Sequence, residues 1–144
     1  MFRLINPIGH AVDGKSTEIY KGEPYVVAGD VYANPAHAGR AGWTWYTGSA
    51  GWMYRLLVET FLGLTREGTR LRIAPRLPAA WPGVDLAYRR GDATYAIHVE
   101  RDASRPPGSV LLDGVAQADN SIELNPAAGV HRVEVYLDAA PKET

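Results

Sequence analysis

Short runs of alternating apolar and polar residues, from residue 70 onward, limit the fold of this chain more than any other feature. A period of two places successive side chains on opposite faces of a β-strand. Gly, Pro, Asn or Asp residues separate the runs, as expected for turns between strands. Six or seven half-buried antiparallel strands are therefore predicted, enough for a small β-sandwich. The runs are RLRIA (70–74), VDLAYRR (84–90), TYAIHVE (94–100), SVLLDGVAQ (109–117), SIEL (121–124) and VHRVEVYL (130–137).

Two tight hairpin turns are predicted between these strands, at residues 90–92 and 112–115. The second contains Asp113-Gly114, a pair favoured in type I′ turns. The segment RLPAAWPG (76–83) is predicted to be an ordered loop held by Trp81 and its prolines.

The segment SAGWMYRLLVETFLGL (49–64) predicts a helix that is apolar over most of its circumference. Such a helix is normally buried on nearly all sides, and Trp52 is expected in the core. Ser49 is the expected N-cap, and Gly63 or Gly68 the expected end. Residues 1–47 are rich in turn formers and offer few partners for this helix. A second copy of the chain, or the rest of a larger enzyme, is expected to cover it.

Composition excludes several classes of function. The formal charge is −1, without long runs of one sign, so nucleic acid is not an expected partner. The chain contains no cysteine, which removes disulfides and thiol chemistry and fits a cytoplasmic location. It contains no apolar segment long enough to span a membrane. Phosphate-binding loops of nucleotide enzymes are absent, and the scattered histidines predict neither a metal site nor a cofactor.

The stretch WTWYTGSAGW (43–52) combines aromatic and small residues. Small residues allow a ligand to approach the backbone, and the start of the helix directs unpaired amides and partial positive charge to the same place. An anion site at Thr47 and Gly48 is one interpretation; a well-capped, tightly packed turn is the other. Trp43 and Trp45 are equally suited to stacking on sugar rings or to packing in a core.

The motifs EPYVVAGDVYANPAHAGRAGWTWYTGSAGWMYRLLVETFLGL (23–64) and LRIAPRLPAAWPG (71–83) resemble the C-terminal region of inverting disaccharide phosphorylases, such as cellobiose and chitobiose phosphorylases. They are most similar to the phosphorylase-like C-terminal part of cyclic β-1,2-glucan synthases. The resemblance implies an α+β chain: residues 1–66 form the end of a helical (α/α) barrel, including the buried helix, and residues 67–144 form an antiparallel β-sandwich.

The same resemblance implies that Thr47 and Gly48 bind inorganic phosphate, which is a co-substrate rather than a cofactor. Gly29 lies in the acceptor-sugar region, where cellobiose phosphorylases carry a larger polar side chain. Arg40 is a further substrate-binding candidate, with a solvated loop arginine as the alternative. Glu23 and Asp30 invite an acid/base interpretation, but the general acid of the family lies upstream of the matching segment, so no catalytic residue is assigned. His10 is not the phosphate-binding histidine of the family.

Three functions therefore remain open. The first is a C-terminal fragment of a β-glucan phosphorylase or cyclic glucan synthase, with phosphate-site residues but inactive alone. The second is a non-catalytic carbohydrate-binding or scaffold module. The third is a subunit completed by a barrel-bearing chain. The expected partners are a β-glucan or oligosaccharide, phosphate, and either a second copy of the chain or the rest of the parent enzyme, which other regions can attach to the inner membrane.

Overall fold

The computed structural model describes residues 2–139, with side chains from Leu4 onward. The chain contains both helices and β-sheets, which confirms the α+β class. It divides into two compact units, Met1–Leu56 and Leu57–Thr144. The boundary expected from the resemblance, between residues 66 and 67, falls at the end of strand β1 (Leu64–Glu67). The assignment of the two parts to a barrel and a sandwich stays a prediction.

The first unit contains short helices joined by long loops. The helix α2 (Gly14–Tyr20) was missed by the interpretation of residues 1–47 as loop, because seven residues without a regular apolar stripe give a weak signal. Its N-cap was available as a signal: the Asp13 carboxylate accepts a hydrogen bond from the Ser16 amide at 2.7 Å. The elements are α1 (Phe2–Ile5), a 3-10 turn (Pro7–His10), α2 (Gly14–Tyr20) and α3 (Thr47–Arg55), and a π-helical segment (Leu56–Phe61) follows.

Helix α3 corrects two predictions. It begins at Thr47 with Tyr46 as its N-cap, so Ser49 lies within the first turn and is not the cap. Burial on nearly all sides is also wrong for the residues that the structure describes. Met53 is the buried residue of α3, whereas Trp52 is 71% exposed and Tyr54 68% exposed. An apolar helix needs neighbours all round to be buried, and the first unit packs against one face of α3.

The helical segment ends at Gly63, which is one of the two glycines predicted to end it. Its φ is +65°, in the left-handed region that glycine adopts without steric cost. A Cβ at this position would lie 2.1 Å from the Ala74 carbonyl oxygen, and the Gly63 carbonyl in turn accepts from the Ala74 amide at 3.0 Å. The close approach of these two backbones therefore requires glycine. Strand β1 follows directly; the sequence prediction missed it, because its first residue continues the apolar run of the helix.

Within the described residues, the second unit contains two sheets. They are built from β1 and from the strands β2 (Arg70–Ile73), β3 (Gly83–Arg90), β4 (Ala93–Arg101), β5 (Val110–Leu112), β6 (Val115–Ala116), β7 (Ser121–Glu123) and β8 (Gly129–Leu137). The three-stranded sheet has the order β1-β2-β7, and the five-stranded sheet has the order β3-β4-β8-β5-β6. The predicted strands are all present, and the run at 109–117 forms a hairpin.

The pairing of β4 with β8 is parallel, in register from Ala93↔Gly129 to Arg101↔Leu137. The prediction of a wholly antiparallel arrangement is therefore wrong at the centre of the larger sheet, whereas the other strand pairs are antiparallel. The connection between β4 and β8 contains β5, β6 and β7, and its length allows the chain to return and enter from the same end.

Alternate residues of the central strands form the core, as the period of two predicts. The Tyr95 hydroxyl accepts from the Asn125 amide at 2.6 Å and donates to the Asn125 carbonyl at 3.1 Å, which satisfies this buried side chain. Both predicted turns are present, and Asp113 and Gly114 have the positive φ values that a type I′ turn requires. The buried cluster consists of Leu64, Leu71, Ile73, Leu77, Ala93, Tyr95, Ile97, Val99, Val110, Ile122, Leu124, Val133 and Val135.

The loop 76–83 is ordered by Arg101, and Trp81, which was expected to hold it, is 46% exposed. The Arg101 guanidinium donates to backbone carbonyls of the loop at 3.1 to 3.3 Å and to the Asp138 carbonyl at 2.9 Å. A planar group with five N–H donors is suited to joining several carbonyls at once. The loop carbonyls are those of Leu77, Pro78 and Trp81.

Candidate functional site

The predicted phosphate-binding residues Thr47 and Gly48 lie at the start of α3 and are exposed. The first hydrogen bond of the helix runs from the Ala50 amide to the Tyr46 carbonyl at 3.2 Å. The amides of Thr47, Gly48 and Ser49 therefore precede the helical ladder. Within the described residues, Tyr46 makes no side-chain capping bond to them. The start of α3 thus offers amide donors and partial positive charge to solvent.

Two depressions flank this first turn. One has a volume of about 230 Å³, and the other, a groove on the side of Ser49, has a volume of about 370 Å³. Both are lined mainly by apolar and aromatic groups. The smaller depression is lined by Tyr25, Val26, Val27, Trp45, Tyr46, Thr47 and Ala50. The groove is lined by Ile5, Val27, Ala28, Gly29, Ser49, Trp52, Met53 and Leu56.

Gly29 is held beside the aromatic segment by backbone hydrogen bonds. Its amide donates to the Trp43 carbonyl at 2.7 Å, and the Gly42 amide donates to the Asp30 carbonyl at 2.9 Å. A Cβ on Gly29 would lie 3.1 Å from Cδ2 of Tyr46. The Gly29 backbone therefore approaches the N-cap of α3 closely, and any larger residue here must displace the Tyr46 ring.

Trp43 and Trp45 are surface residues, 74% and 68% exposed. The Trp43 ring lies 6.5 Å from the Tyr46 ring, and the Trp45 ring lies 6.3 Å from the Tyr25 ring, edge to face. Of the two interpretations left open by the sequence, core packing does not describe these residues in the structure. Their exposed faces are suited to apolar contact with a ligand or with another protein surface.

Glu23 makes a polar contact with the aromatic segment. Its Oε1 accepts a hydrogen bond from Nε1 of Trp45 at 2.9 Å. This bond, a second one from the Glu23 backbone amide and a weaker one from Thr44 lower the pKa of the Glu23 carboxyl below its usual value, because donors stabilise the ionised form. Glu23 is thus a carboxylate engaged in a structural contact. The sequence raised Glu23 only as a possible acid, since nothing in it indicates which donor, 22 residues away, the carboxylate meets.

Arg40 lies elsewhere in the first unit. It lines a separate depression with Glu18, Lys21 and His37, and it does not line either depression beside Thr47. The structure therefore brings together Gly29, Trp43, Trp45, Thr47 and Gly48 of the predicted site, but not Arg40. Tyr25 and Tyr46 were missed by sequence reasoning; their signal was the aromatic enrichment around the motif.

The His10 side chain contacts other residues of the first unit. Its ring stacks on the buried Tyr20 ring with centroids 4.4 Å apart, and its Nε2 lies 2.8 Å from the Leu4 carbonyl oxygen. Between residues 2 and 139, no group of three or more His, Asp and Glu side chains is arranged to hold a metal ion. In the same part of the chain, the helices are all too short or too polar to cross a bilayer.

Comparison with known proteins identifies relatives. Residues 1–63 match the model of the glycosyl hydrolase 94 superfamily, catalytic domain. The chain is 45% identical over 129 residues, 90% of its length, to cyclic β-(1,2)-glucan synthase NdvB of Rhizobium meliloti (strain 1021). It is 34% identical over 101 residues, 69% of its length, to N,N'-diacetylchitobiose phosphorylase of Vibrio furnissii. It is 30% identical over 120 residues, 80% of its length, to solabiose phosphorylase of Paenibacillus borealis.

The chain spans 4%, 12% and 15% of the lengths of these three relatives, respectively. The family match includes the segment that carries Thr47, Gly48 and the aromatic residues, since it extends over residues 1–63. The resemblance read from the sequence is thereby confirmed, and the chain belongs, through residues 1–63, to the glycosyl hydrolase 94 superfamily of carbohydrate-active enzymes.

Proposed function

We propose that this chain supplies the phosphate-orienting wall of an inverting, phosphorylase-type active site, and that it is inactive alone. Thr47 and Gly48, with the first amides of α3, hold inorganic phosphate, which is a co-substrate. The general acid comes from a part of the enzyme outside this sequence. The sugar substrate is a β-linked glucan or oligosaccharide, as the names of the relatives suggest.

The observation that carries this proposal is the open start of α3. Thr47 and Gly48 are exposed, their amides precede the helical ladder, and Thr47 lines a depression with aromatic walls. Such a helix start favours an anion through hydrogen bonding and through the helix dipole. Aromatic walls beside it suit the apolar faces of a sugar ring.

In the proposed reaction, a phosphate oxygen attacks the anomeric carbon of the sugar while the acid protonates the departing glycosidic oxygen on the opposite face. The bond from carbon to phosphate oxygen forms as the glycosidic bond breaks, which inverts the anomeric configuration and gives an α-sugar 1-phosphate. The contribution of this chain is to hold the nucleophile in line, and such positioning lowers a barrier by several kcal/mol.

The test is the binding of inorganic phosphate to the 144-residue chain, measured by calorimetry and by ³¹P line width. We expect Thr47→Val to weaken binding by about tenfold, because it removes a hydroxyl donor to a charged group while keeping the shape of the side chain. Thr69→Val is the matched control, since Thr69 is an exposed threonine in the β1–β2 turn of the other unit. Equal affinities of Thr47→Val and wild type would contradict the proposal.

A carbohydrate-binding role without catalysis is the second candidate, and the exposure of Trp43 and Trp45 favours it. It predicts that β-1,2-glucan changes the tryptophan fluorescence of the chain in the absence of phosphate and that Trp43→Ala reduces this change. Phosphate binding without any response to glucan would reject this candidate and leave the first.

A further inference from the structure

The backbone of Trp45 adopts a conformation that its local sequence does not explain. Its φ is +64°, in the left-handed region that bulky residues rarely adopt. The other non-glycine residues with positive φ among residues 2–139 are Lys21, which caps the end of α2, and Asp113, in a tight turn. Left-handed residues are common in both settings. Trp45 instead comes directly before Tyr46, the N-cap of α3.

A strained backbone persists where the surroundings fix it. Because the Trp45 side chain is 68% exposed, core packing does not supply this constraint. Two contacts from residues 23–25 do: the Trp45 indole N–H donates to Glu23 at 2.9 Å, and the Tyr25 ring meets the indole edge to face. A hydrogen bond to an ionised carboxylate is stronger than one between neutral groups, so Glu23 is the main restraint.

The conformation of Trp45 determines how the chain enters α3. Trp45, Tyr46 and Thr47 are consecutive and line one depression. A change of φ at Trp45 to an ordinary extended value would redirect Tyr46, and with it the Thr47 hydroxyl and the first amides of the helix.

We infer that Glu23 is a positioning residue, which holds Trp45 in its left-handed conformation and thereby orients Thr47 and the first amides of α3 toward the anion. This inference rests on the proposed function, because the anion is the phosphate named there. It gives Glu23 a role that needs no proton transfer, in agreement with a carboxyl whose acceptor oxygen is already engaged.

The first test measures orientation without any ligand, by ¹H–¹⁵N NMR of the 144-residue chain. Glu23→Ala removes the acceptor, whereas Glu23→Gln keeps an amide oxygen that accepts from the indole. We expect Glu23→Ala to shift the Trp45 indole resonance and the Thr47 and Gly48 amides, and Glu23→Gln to restore most of their wild-type positions. Glu18→Ala, at an exposed glutamate of α2, is the control and should leave these resonances unchanged.

The second test measures the consequence for phosphate. Glu23→Ala should weaken phosphate binding by about tenfold, and Glu23→Gln by less, as expected for the loss or retention of one hydrogen bond that orders the site. In a Trp45→Phe background, which lacks the indole donor, Glu23→Ala should have little additional effect, because the two residues act as one unit.

The inference is overturned if the Thr47 and Gly48 amide resonances of Glu23→Ala keep their wild-type chemical shifts. It is also overturned if these resonances shift while the affinity for phosphate stays unchanged. If Glu23→Ala lowers the affinity for phosphate equally in the wild-type and Trp45→Phe backgrounds, Glu23 does not act through Trp45, and the inference is also overturned. If the wild-type chain binds no phosphate, the proposed function fails, and the amide resonances alone decide whether Glu23 orients the start of α3.

Discussion

At the residue scale, Gly63 is the position where backbone geometry most limits the side chain. Its left-handed φ and the Ala74 backbone beside it are separate constraints. Another glycine of the chain serves as a control, because it has the left-handed φ without a close neighbour. Gly68 has a φ of +60°, and a Cβ there would meet nothing within 4 Å. The pair therefore separates the cost of a left-handed conformation from the cost of a steric clash.

We predict that Gly68→Ala lowers the free energy of unfolding by about 1 kcal/mol, the cost of placing an L-residue in the left-handed region. Gly63→Ala should lower it by roughly 3 kcal/mol or more, because the helix end must also move away from Ala74. Urea unfolding followed by circular dichroism measures both values. Similar losses for the two variants would show that the contact with Ala74 relaxes at little cost.

Single residues also show where sequence reasoning succeeds and where it stops. The apolar residues of the segment 49–64 predicted a helix, with Ser49 as its N-cap, and the observed N-cap is Tyr46, three residues earlier. Ser49 was a reasonable N-cap by residue type, but Thr47 and Gly48 adopt helical geometry first. The contact between Glu23 and Trp45 could not be predicted, because it depends on a loop bringing together residues that are far apart in sequence.

At the scale of single elements, the hairpin of β3 and β4 contains a pair that responds to pH. Asp85 and His98 are directly opposed, and His98 Nδ1 lies 2.6 Å from Asp85 Oδ1. The hydrogen bond to Asp85 raises the pKa of His98 above its usual value, with Glu100 as a smaller cause, while partial burial opposes the shift. Because the folded state holds the proton more tightly, the pair stabilises the fold below the unfolded pKa of about 6.5. This stabilisation is lost as pH rises through the folded pKa.

We predict that Asp85→Asn lowers the pKa of His98 toward its unperturbed value, as measured by NMR titration of the imidazole. The variant should be less stable than wild type at about pH 5.5 and similar to it at about pH 8.5. The difference should be less than about 1 kcal/mol, because Asp85 is largely exposed and His98 partly exposed, so that solvent screens the pair. Asp92→Asn, in the turn of the same hairpin, is the control. An unchanged His98 titration in Asp85→Asn would contradict the assignment.

The positions of the predicted strands are confirmed, but the relative direction of β4 and β8 was predicted wrongly. Alternation of apolar residues reports which face of a strand is buried, and this pattern is the same in parallel and antiparallel pairs. The partner of β8 therefore could not be inferred from its sequence. Strand β1 was missed for a different reason, because Leu64 ends an apolar run with helical character and only Gly63 marks the change.

At the scale of the whole molecule, the two units differ in the size of their apolar clusters. The cluster of the first unit consists of Tyr20, Ala28 and Ala41, with Val31 packed against it. The second unit contains the larger cluster of both sheets. Local stability follows buried apolar area, so the first unit should open without unfolding the second.

Hydrogen exchange tests this expectation with two matched bonds. The Ala41 amide donates to the Tyr20 carbonyl at 2.8 Å, and the Ile73 amide donates to the Asn120 carbonyl at 2.7 Å. We predict that the Ala41 amide is less protected by about a hundredfold, because exchange there needs only opening of the smaller cluster. Equal protection of both amides would show that the two units open together.

Sequence reasoning recognised two unlike parts, from the change of apolar period near residue 70, and it identified the family. It could not give the exposure of the aromatic residues in the first unit, because exposure depends on which other surfaces are present. The prediction that a second copy or the rest of a parent enzyme covers α3 remains open, and the exposed Trp52 and Tyr54 are compatible with it.

The parallel pairing of β4 with β8 has a consequence for biosynthesis. Strand β8 lies between β4 and β5 in the larger sheet, so each of these two strands lacks one of its two neighbours until β8 (Gly129–Leu137) has been synthesised. Until then, the nascent chain presents two unpaired strand edges that are open to wrong partners. Synthesis that terminates before residue 129 would release a polypeptide prone to aggregation, and a chaperone bound to the nascent chain during this interval would protect it.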